Sequence, residues 1–144
     1  MNGILNVQLV DARALKDADT IGKMDPYVLI QYKDQKLKSK VAKDQGSNPV
    51  WNDQFSLWVQ YPVEDEDYTI CLKIMDKDTF TSDDFVGEAK IDLKDLVEIG
   101  AKKGKEELQP RHYDVIDTNN AHAGEIQVAF TFTLKDKQMG ETTG

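Results

Sequence analysis

Two short stretches concentrate the residue types able to do chemistry. IMDKDTFTSDDFVGE, from Ile74 to Glu88, carries Asp76, Asp78, Asp83 and Asp84 with Lys77 as its lone lysine, and DADTIGKMDP carries Asp19 and Asp25. Two carboxylates about 4 Å apart repel by roughly 4 kcal/mol at an effective dielectric of 20. Such a turn either splays its carboxylates into water or holds a cation between them. If Asp19, Asp25, Asp76, Asp78 and Asp84 converge, they form a hard-oxygen donor set, the kind calcium takes, with six to eight oxygens at about 2.3–2.6 Å in loose geometry. The i, i+2 spacing of Asp76 and Asp78 lets both reach one point when the loop curls. Backbone carbonyls of Ala18, Lys77 and Ser82 can add ligands, and such a set can hold more than one ion. Magnesium, which demands a tighter octahedron and keeps its waters, fits less well. Zinc prefers Cys and His, and His112 and His122 lie outside both stretches.

A plainer reading stands beside this one. Aspartate is common in turns because its side chain bonds nearby backbone amides. For one residue alone that reading is the stronger. For five, carried by two separate loops, the balance reverses. Asp83 is set aside as a solvated neighbour. Two look-alikes fail on their own residues. As a helix-loop-helix calcium loop, DKDTFTSDDFVG has Thr81 at its sixth position and Gly87 at its twelfth, and strands flank it. As the D-x-D nucleophile of an aspartyl phosphatase, IMDKDTF lacks the helices of a parallel α/β scaffold.

The elements that must position these loops show a period of two. Leu5, Val7 and Leu9 form one apolar set, and Val28, Ile30 and Tyr32 a second. Leu37 and Val41 alternate with Lys36, Lys38 and Lys40. Phe55, Leu57 and Val59 give a fourth set, Ile70, Leu72 and Ile74 a fifth, and Ala89, Ile91 and Leu93 a sixth. Tyr113 and Val115 indicate a short seventh, and Ile126 to Leu134 an eighth. Alternation of this kind marks strands with one buried face. Turn-forming clusters such as DQGSNP and DTNNAHAG separate them. LKDLVEIGAKKGKE, between the sixth and seventh sets, reads as a short helix. The expected fold is all-β: an eight-stranded antiparallel β-sandwich with one short helix between strands 6 and 7. Antiparallel succession places connections 1–2, 3–4 and 5–6 at one end, so the two acidic stretches are expected to meet there. The expected organisation is a single domain over residues 1–135 and a polar tail over 136–144.

The bulk properties set the partner class. The chain has 144 residues, 40% hydrophobic, with a net charge of −8 and a pI near 4.7. That size suits one domain. The acidic balance argues against general nucleic-acid binding, which needs a basic footprint. A single cysteine, Cys71, forms no internal disulfide, so a reducing compartment is expected. The start of the chain carries no secretory pattern, Asn2 stands where myristoylation needs Gly, and no apolar run reaches membrane-span length. The expectation is a cytoplasmic monomer whose membrane contact is peripheral. Tyr27, Trp51, Trp58 and Tyr113 are read as packing or framework residues. Cys71, out of phase with Ile70 and Leu72, is expected to face away from the core without a catalytic role. No base–nucleophile pair can be placed, so the chain is read as a non-enzyme.

DPYV at Asp25–Val28, NPVWN at Asn48–Asn52 and MDKDTFTSDDFVGE together resemble the C2 domain family of calcium-dependent phospholipid-binding modules. The resemblance runs from Gly3 to about Leu134 and is nearest to small plant single-domain members, the elicitor-responsive and small phloem-protein type. It implies a sandwich with Ca2+ between tip loops, ligand aspartates at Asp19, Asp25, Asp76, Asp78 and Asp84, and an anionic phospholipid membrane as partner. Similarity of LNVQLVDA to the second strand of permuted relatives, and of GEIQVAFTF to their first, implies the topology called type II. The resemblance also matches Phe80 to a membrane-inserting position, and Ile21 sits similarly between Asp19 and Asp25. The alternative for Phe80 is a ring folded back on the loop base. Lys36, Lys38 and Lys40 are candidates for phosphoinositide head groups; equally, they can be a solvated face that discourages strand pairing. Leu29 stands where phosphoinositide-binding relatives often carry Lys. The implied role is membrane targeting in calcium or defence signalling, with movement to the plasma membrane when calcium rises. The competing role is a protein- or RNA-binding scaffold of the phloem-protein type, with lipid secondary.

Overall fold

Alternating residues become eight strands because each apolar set finds a common interior. A computed structural model describes residues 1–17 and 22–135. In chain order the strands are β1 (Asn2–Arg13), β2 (Pro26–Tyr32), β3 (Gln35–Lys38), β4 (Val50–Gln60), β5 (Thr69–Asp76) and β6 (Asp84–Asp92). Helix α1 (Lys94–Lys103), β7 (Lys105–Ile116) and β8 (His122–Leu134) follow. In β1, Leu5, Val7 and Leu9 are at most 1% exposed while Asn6 and Gln8 face solvent. The paired strands run antiparallel, in the order β3-β2-β5-β6-β7-β8-β1-β4.

That order folds into two layers. β6 and β7 share a single ladder pair, Glu88 with Ile116, so the sheet turns a corner there. At the far ends the Gln35 side chain joins β3 to β4: its Nε2 donates to the Trp58 carbonyl at 2.7 Å, and its Oε1 accepts from the Trp58 amide at 2.8 Å. Trp51, Phe130, Phe132, Ile30, Ile70 and Leu72 fill the space between the layers, each at most 1% exposed. Interior packing of this kind is dense enough that one added methylene is felt. The eight antiparallel strands and the helix between β6 and β7 are those expected.

Details differ from the alternation pattern. β7 runs to 12 residues rather than the short stretch around Tyr113 and Val115, because register shifts at Leu108/Arg111 and Asp114/Ile116 break its period. β3 stops at Lys38, so Lys40 and Val41 lie beyond it. Helix α1 is shorter than LKDLVEIGAKKGKE. Gly104 closes it in the left-handed conformation (φ 95°), its amide donating to the Gly100 carbonyl at 2.7 Å. Asp95 in its first turn and Lys102 and Lys103 in its last complement the helix dipole.

Candidate functional site

The β1–β2, β3–β4 and β5–β6 connections meet at one end of the sandwich. Pro26 pairs with Asp76, and Asp76 with Asp84, so the ends of β2, β5 and the start of β6 lie side by side. The Asp25 amide donates to Asp76 Oδ1 at 2.9 Å, and the Lys77 amide to the Asp25 carbonyl at 3.0 Å. The Asp44 amide, from the β3–β4 connection, donates to Asp25 Oδ1 at 2.6 Å. Residues 51 positions apart are thereby in direct contact. The motif residues fix this arrangement. Trp51 Nε1 donates to the Pro26 carbonyl at 3.1 Å, and Asn48 Oδ1 accepts from the Ala14 amide at 3.0 Å. NPVWN thus braces the strand that starts in DPYV.

Asp25, Asp76, Asp78 and Asp84 are brought to this tip. Asp76 is 1% exposed, Asp25 and Asp78 are half-buried, and Asp84 is open to solvent. Asp78 Oδ1 accepts from the Phe80 and Thr81 amides at 3.0 and 3.2 Å, which holds its carboxyl below the usual range. Asp19, Ile21 and the Ala18 carbonyl lie outside the described residues. So does the tail 136–144. Of the remaining expected carbonyls, Lys77 follows the Asp76 turn, and that of Ser82 accepts weakly from Thr81 Oγ1 at 3.4 Å.

Asp83, set aside from the sequence, has a structural part. It is half-buried; its Oδ2 accepts from the Tyr27 hydroxyl and its Oδ1 from the Asp78 amide at 2.9 Å. The Asp78 amide first, then the Tyr27 phenol, keep its carboxyl low. In turn, burial, with the Asp83 carboxylate second, pushes the Tyr27 phenol up to about 12. Neighbouring Asp83 and Asp84 have different tasks: Asp83 lies just before β6 and turns to Tyr27 and the Asp78 amide, whereas Asp84 opens the strand opposite Asp76.

Among the described residues no three His, Cys, Asp or Glu side chains form a metal cage. Backbone amides donate to three of the carboxylates, that of Asp44 to Asp25, that of Asp25 to Asp76 and those of Phe80 and Thr81 to Asp78, which offsets part of their negative charge. The chemistry of the donor set nonetheless fits calcium. Every donor that Asp25, Asp76, Asp78 and Asp84 offer is a hard carboxylate oxygen, and no soft ligand competes. The Asp76 carboxylate is buried beside other acids and accepts from the Asp25 amide, which sets a negative charge within the tip. Phe80, between Asp78 and Asp84, is 94% exposed, not folded onto the loop base.

The outer face of the β3-β2-β5-β6 layer carries a second cluster. Lys36 aligns through Gln31 and Cys71 with Lys90, and Lys38 through Leu29 with Lys73. Lys38 Nζ also lies 4.7 Å from the Tyr27 ring centroid. Neither Lys73 nor Lys90 is marked in the sequence, because only the register across three strands for Lys73 and four for Lys90 brings them here. Lys40 is exposed beyond the strand, its amide donating to Asp53 Oδ2 at 3.2 Å. Cys71 faces away from Ile70 and Leu72. Its Sγ donates to Glu88 Oε2 at 2.7 Å, and burial, with that carboxylate second, pushes the thiol up to about 12. The reading of Trp51 and Tyr27 as framework residues agrees with their 1% and 5% exposure. Trp58 is corrected: it is 59% exposed, since it sits out of phase with buried Leu57 and Val59.

Comparison with known proteins is consistent along the chain. Residues 3–109 match the family model of the C2 domain. The chain is 46% identical to the 16 kDa phloem protein 1 of Arabidopsis thaliana, across 99% of this chain and 93% of that one. It is 42% identical to elicitor-responsive protein 1 of Oryza sativa subsp. japonica, across 94% and 87%. A solved C2 domain-containing protein from an elicitor-responsive gene superposes with a TM-score of 0.70 at 37% identity, covering 99% of this chain and 94% of its own. With three strand connections meeting at an acidic tip, the DPYV and NPVWN braces in place and this match over most of the sequence, the chain belongs to the C2 domain family.

Proposed function

We propose that the chain is a calcium-dependent module that docks on anionic phospholipid membranes through its acidic tip. The observation that carries this reading is the contact between the Asp25 amide and the Asp76 carboxylate, which joins two acidic loops, one of them bearing the exposed Phe80. Asp19, Asp25, Asp76, Asp78 and Asp84, with the carbonyls of Ala18, Lys77 and Ser82, would hold Ca2+. When bound, the cation supplies the positive charge that lets an acidic tip approach an anionic bilayer. Phe80 and Ile21 then reach into the interface, where burying an apolar side chain adds grip. Lys36, Lys38 and Lys40, joined by Lys73 and Lys90, face phosphoinositide head groups. Lys38 and Lys73 flank Leu29 and restore charge around the position where relatives carry Lys. No catalytic step belongs to this reading, and a thiol raised as far as that of Cys71 is a poor nucleophile. The module would be a cytoplasmic monomer that moves to the plasma membrane when calcium rises. The elicitor-responsive relatives favour a place in defence signalling.

Isothermal titration and co-sedimentation with phosphatidylserine vesicles test the proposal. Wild type should bind Ca2+ and sediment only in its presence. Asp76→Asn with Asp78→Asn should lose both properties. Phe80→Ala should keep the ion and lose about tenfold or more in vesicle affinity. Equal sedimentation of wild type and the double Asn variant in chelator overturns the reading. The 46% identity to a phloem protein favours a second reading, a protein- or RNA-binding scaffold. Tight RNA binding in a gel shift, weakening steeply with salt, would promote it.

A further inference from the structure

The outer face of the opposite layer is built differently from the rest of the surface. From β1 it presents Asn2, Ile4, Asn6 and Gln8. Their partners on β4 are Gln60, Trp58, Ser56 and Gln54. On the other flank, Thr133, Thr131 and Ala129 of β8 pair with Ile4, Asn6 and Gln8. None of these positions is charged. Charged residues are mostly exposed, so a chain with 31% of them would place about three on a patch of this size. Charge returns around these positions: Lys105 and Glu107 of β7 pair with each other at 3.7 Å, the Lys135 amide donates to the Asn2 carbonyl, and Arg13 pairs with Glu125 at the other end of β1.

The face is also rigid and supplied with unused polar groups. Gln35 takes both backbone groups of Trp58, which holds β4 in place and closes that point of the edge to an added strand. Ser56 Oγ donates to Asn6 Oδ1 at 2.8 Å. The side-chain amides of Gln8, Gln54 and Gln60 make no hydrogen bond among the described residues. Each offers an acceptor oxygen and two donors. Ala129 lies opposite Gln8, and its short side chain leaves a groove of ≈ 300 Å³ lined by Asn6, Gln8, Gln54, Ala129 and Thr131. Trp58 stands at the patch edge beside Ile4.

We propose that this β4-β1-β8 face binds a neutral oligosaccharide. Trp58 serves as the platform for the C–H face of a sugar ring, and the amides of Gln8, Gln54 and Asn6 hydrogen-bond its hydroxyls. The charge pattern selects this occupant. A phosphorylated or nucleic-acid ligand finds no cation among the central positions of β1, β4 and β8, where Lys105 is matched by Glu107 at the edge. A second copy of the chain would bury amides and hydroxyls with only Trp58, Ile4 and the small Ala129 as apolar return, where homodimer interfaces are about 65% apolar. A neutral polyol needs no ion partner, and it matches groups that both donate and accept. The site is separate from the acidic tip and stands whether or not the tip binds calcium.

The test uses the full chain labelled with 15N, titrated with millimolar cellohexaose, xylohexaose and maltohexaose, in chelator and again with calcium. Saturable shifts are expected on Asn6, Gln8, Gln54, Thr131 and the Trp58 indole N–H, equal in both conditions. Trp51 is buried and bonded to Pro26, so its indole should stay fixed. Trp58→Ala should weaken binding about tenfold. Ala129→Gln, which fills the groove, should weaken it too, with thermal unfolding unchanged in both variants. Absence of shifts with all three sugars, shifts centred elsewhere, or undiminished binding by Trp58→Ala overturns the proposal. So does a concentration-dependent dimer that Trp58→Ala dissolves, because the face would then be a self-interface.

Discussion

The Tyr27 phenol donates to one oxygen of Asp83 while the Asp78 amide donates to the other at 2.9 Å. One carboxylate therefore fastens β2 to the β5–β6 loop that also carries Asp76 and Asp78. Tyr27→Phe keeps the buried ring and removes only the donor. Asp83 is held below the ordinary aspartate value in the folded chain, so the stability it adds is present above the unfolded value of about 3.9 and lost as pH falls through the folded one. Tyr27→Phe should accordingly lower the urea midpoint at pH 7, and the gap to wild type should close in the acid range. Carboxyl 13C titration should show Asp83 rising toward the usual range. An unchanged Asp83 titration would mean that the Asp78 amide alone sets its acidity.

At the scale of elements, the corner between β6 and β7 is the thinnest join in the sandwich. Gly87 sits there, next to Glu88 of the single β6–β7 ladder pair. A Cβ at Gly87 would lie 2.6 Å from Val115 Cγ1 and 3.1 Å from the Ile116 carbonyl oxygen. Val115 is fully buried and cannot swing aside. Gly87→Ala should therefore cost about 1–3 kcal/mol by overpacking, read as a lower urea midpoint. A neutral result would show that β7 moves freely at the corner. The same corner marks how far the sequence can be read. The inward sets of β1, β2, β5 and β8 are visible as alternation, because one buried face demands it. β7 is not, since two register shifts break its period. At the tip, Asp25, Asp76, Asp78 and Asp84 are legible from composition and strand parity. The anchoring part of Asp83 is not, because it depends on Tyr27, which lies 56 positions away in the sequence. The alignment of Lys36 with Lys90 likewise depends on pairing across four strands, which no local pattern encodes. Trp58 was legible: its phase opposes that of Leu57 and Val59, and its large apolar ring concealed the signal.

At the scale of the whole molecule, among the described residues three protons are held much more tightly folded than unfolded, and those of Tyr113 and Lys94 to a lesser degree. Burial first raises Cys71, Tyr27 and Tyr32, each to about 12, and neighbouring carboxylates add to it. A group whose folded value is raised contributes stability that is complete below its unfolded value and disappears as pH climbs through the folded one. The unfolded values differ, about 8.5 for a thiol and about 10 for a phenol. Alkaline loss of stability should therefore come in two stages: Cys71 alone from about pH 8.5 to 10, then the tyrosines with it up to about 12. Cys71→Ser separates them, because a serine hydroxyl still donates to Glu88 yet does not titrate in this range. Urea midpoints measured across that range should fall for wild type from the first stage onward. For Cys71→Ser they should hold level through the first stage and fall only in the second. Parallel profiles would place the alkaline sensitivity outside Cys71. A level profile in the first stage makes the Cys71–Glu88 contact, on the lysine-bearing face far from the acidic tip, the part of the fold that responds first to base.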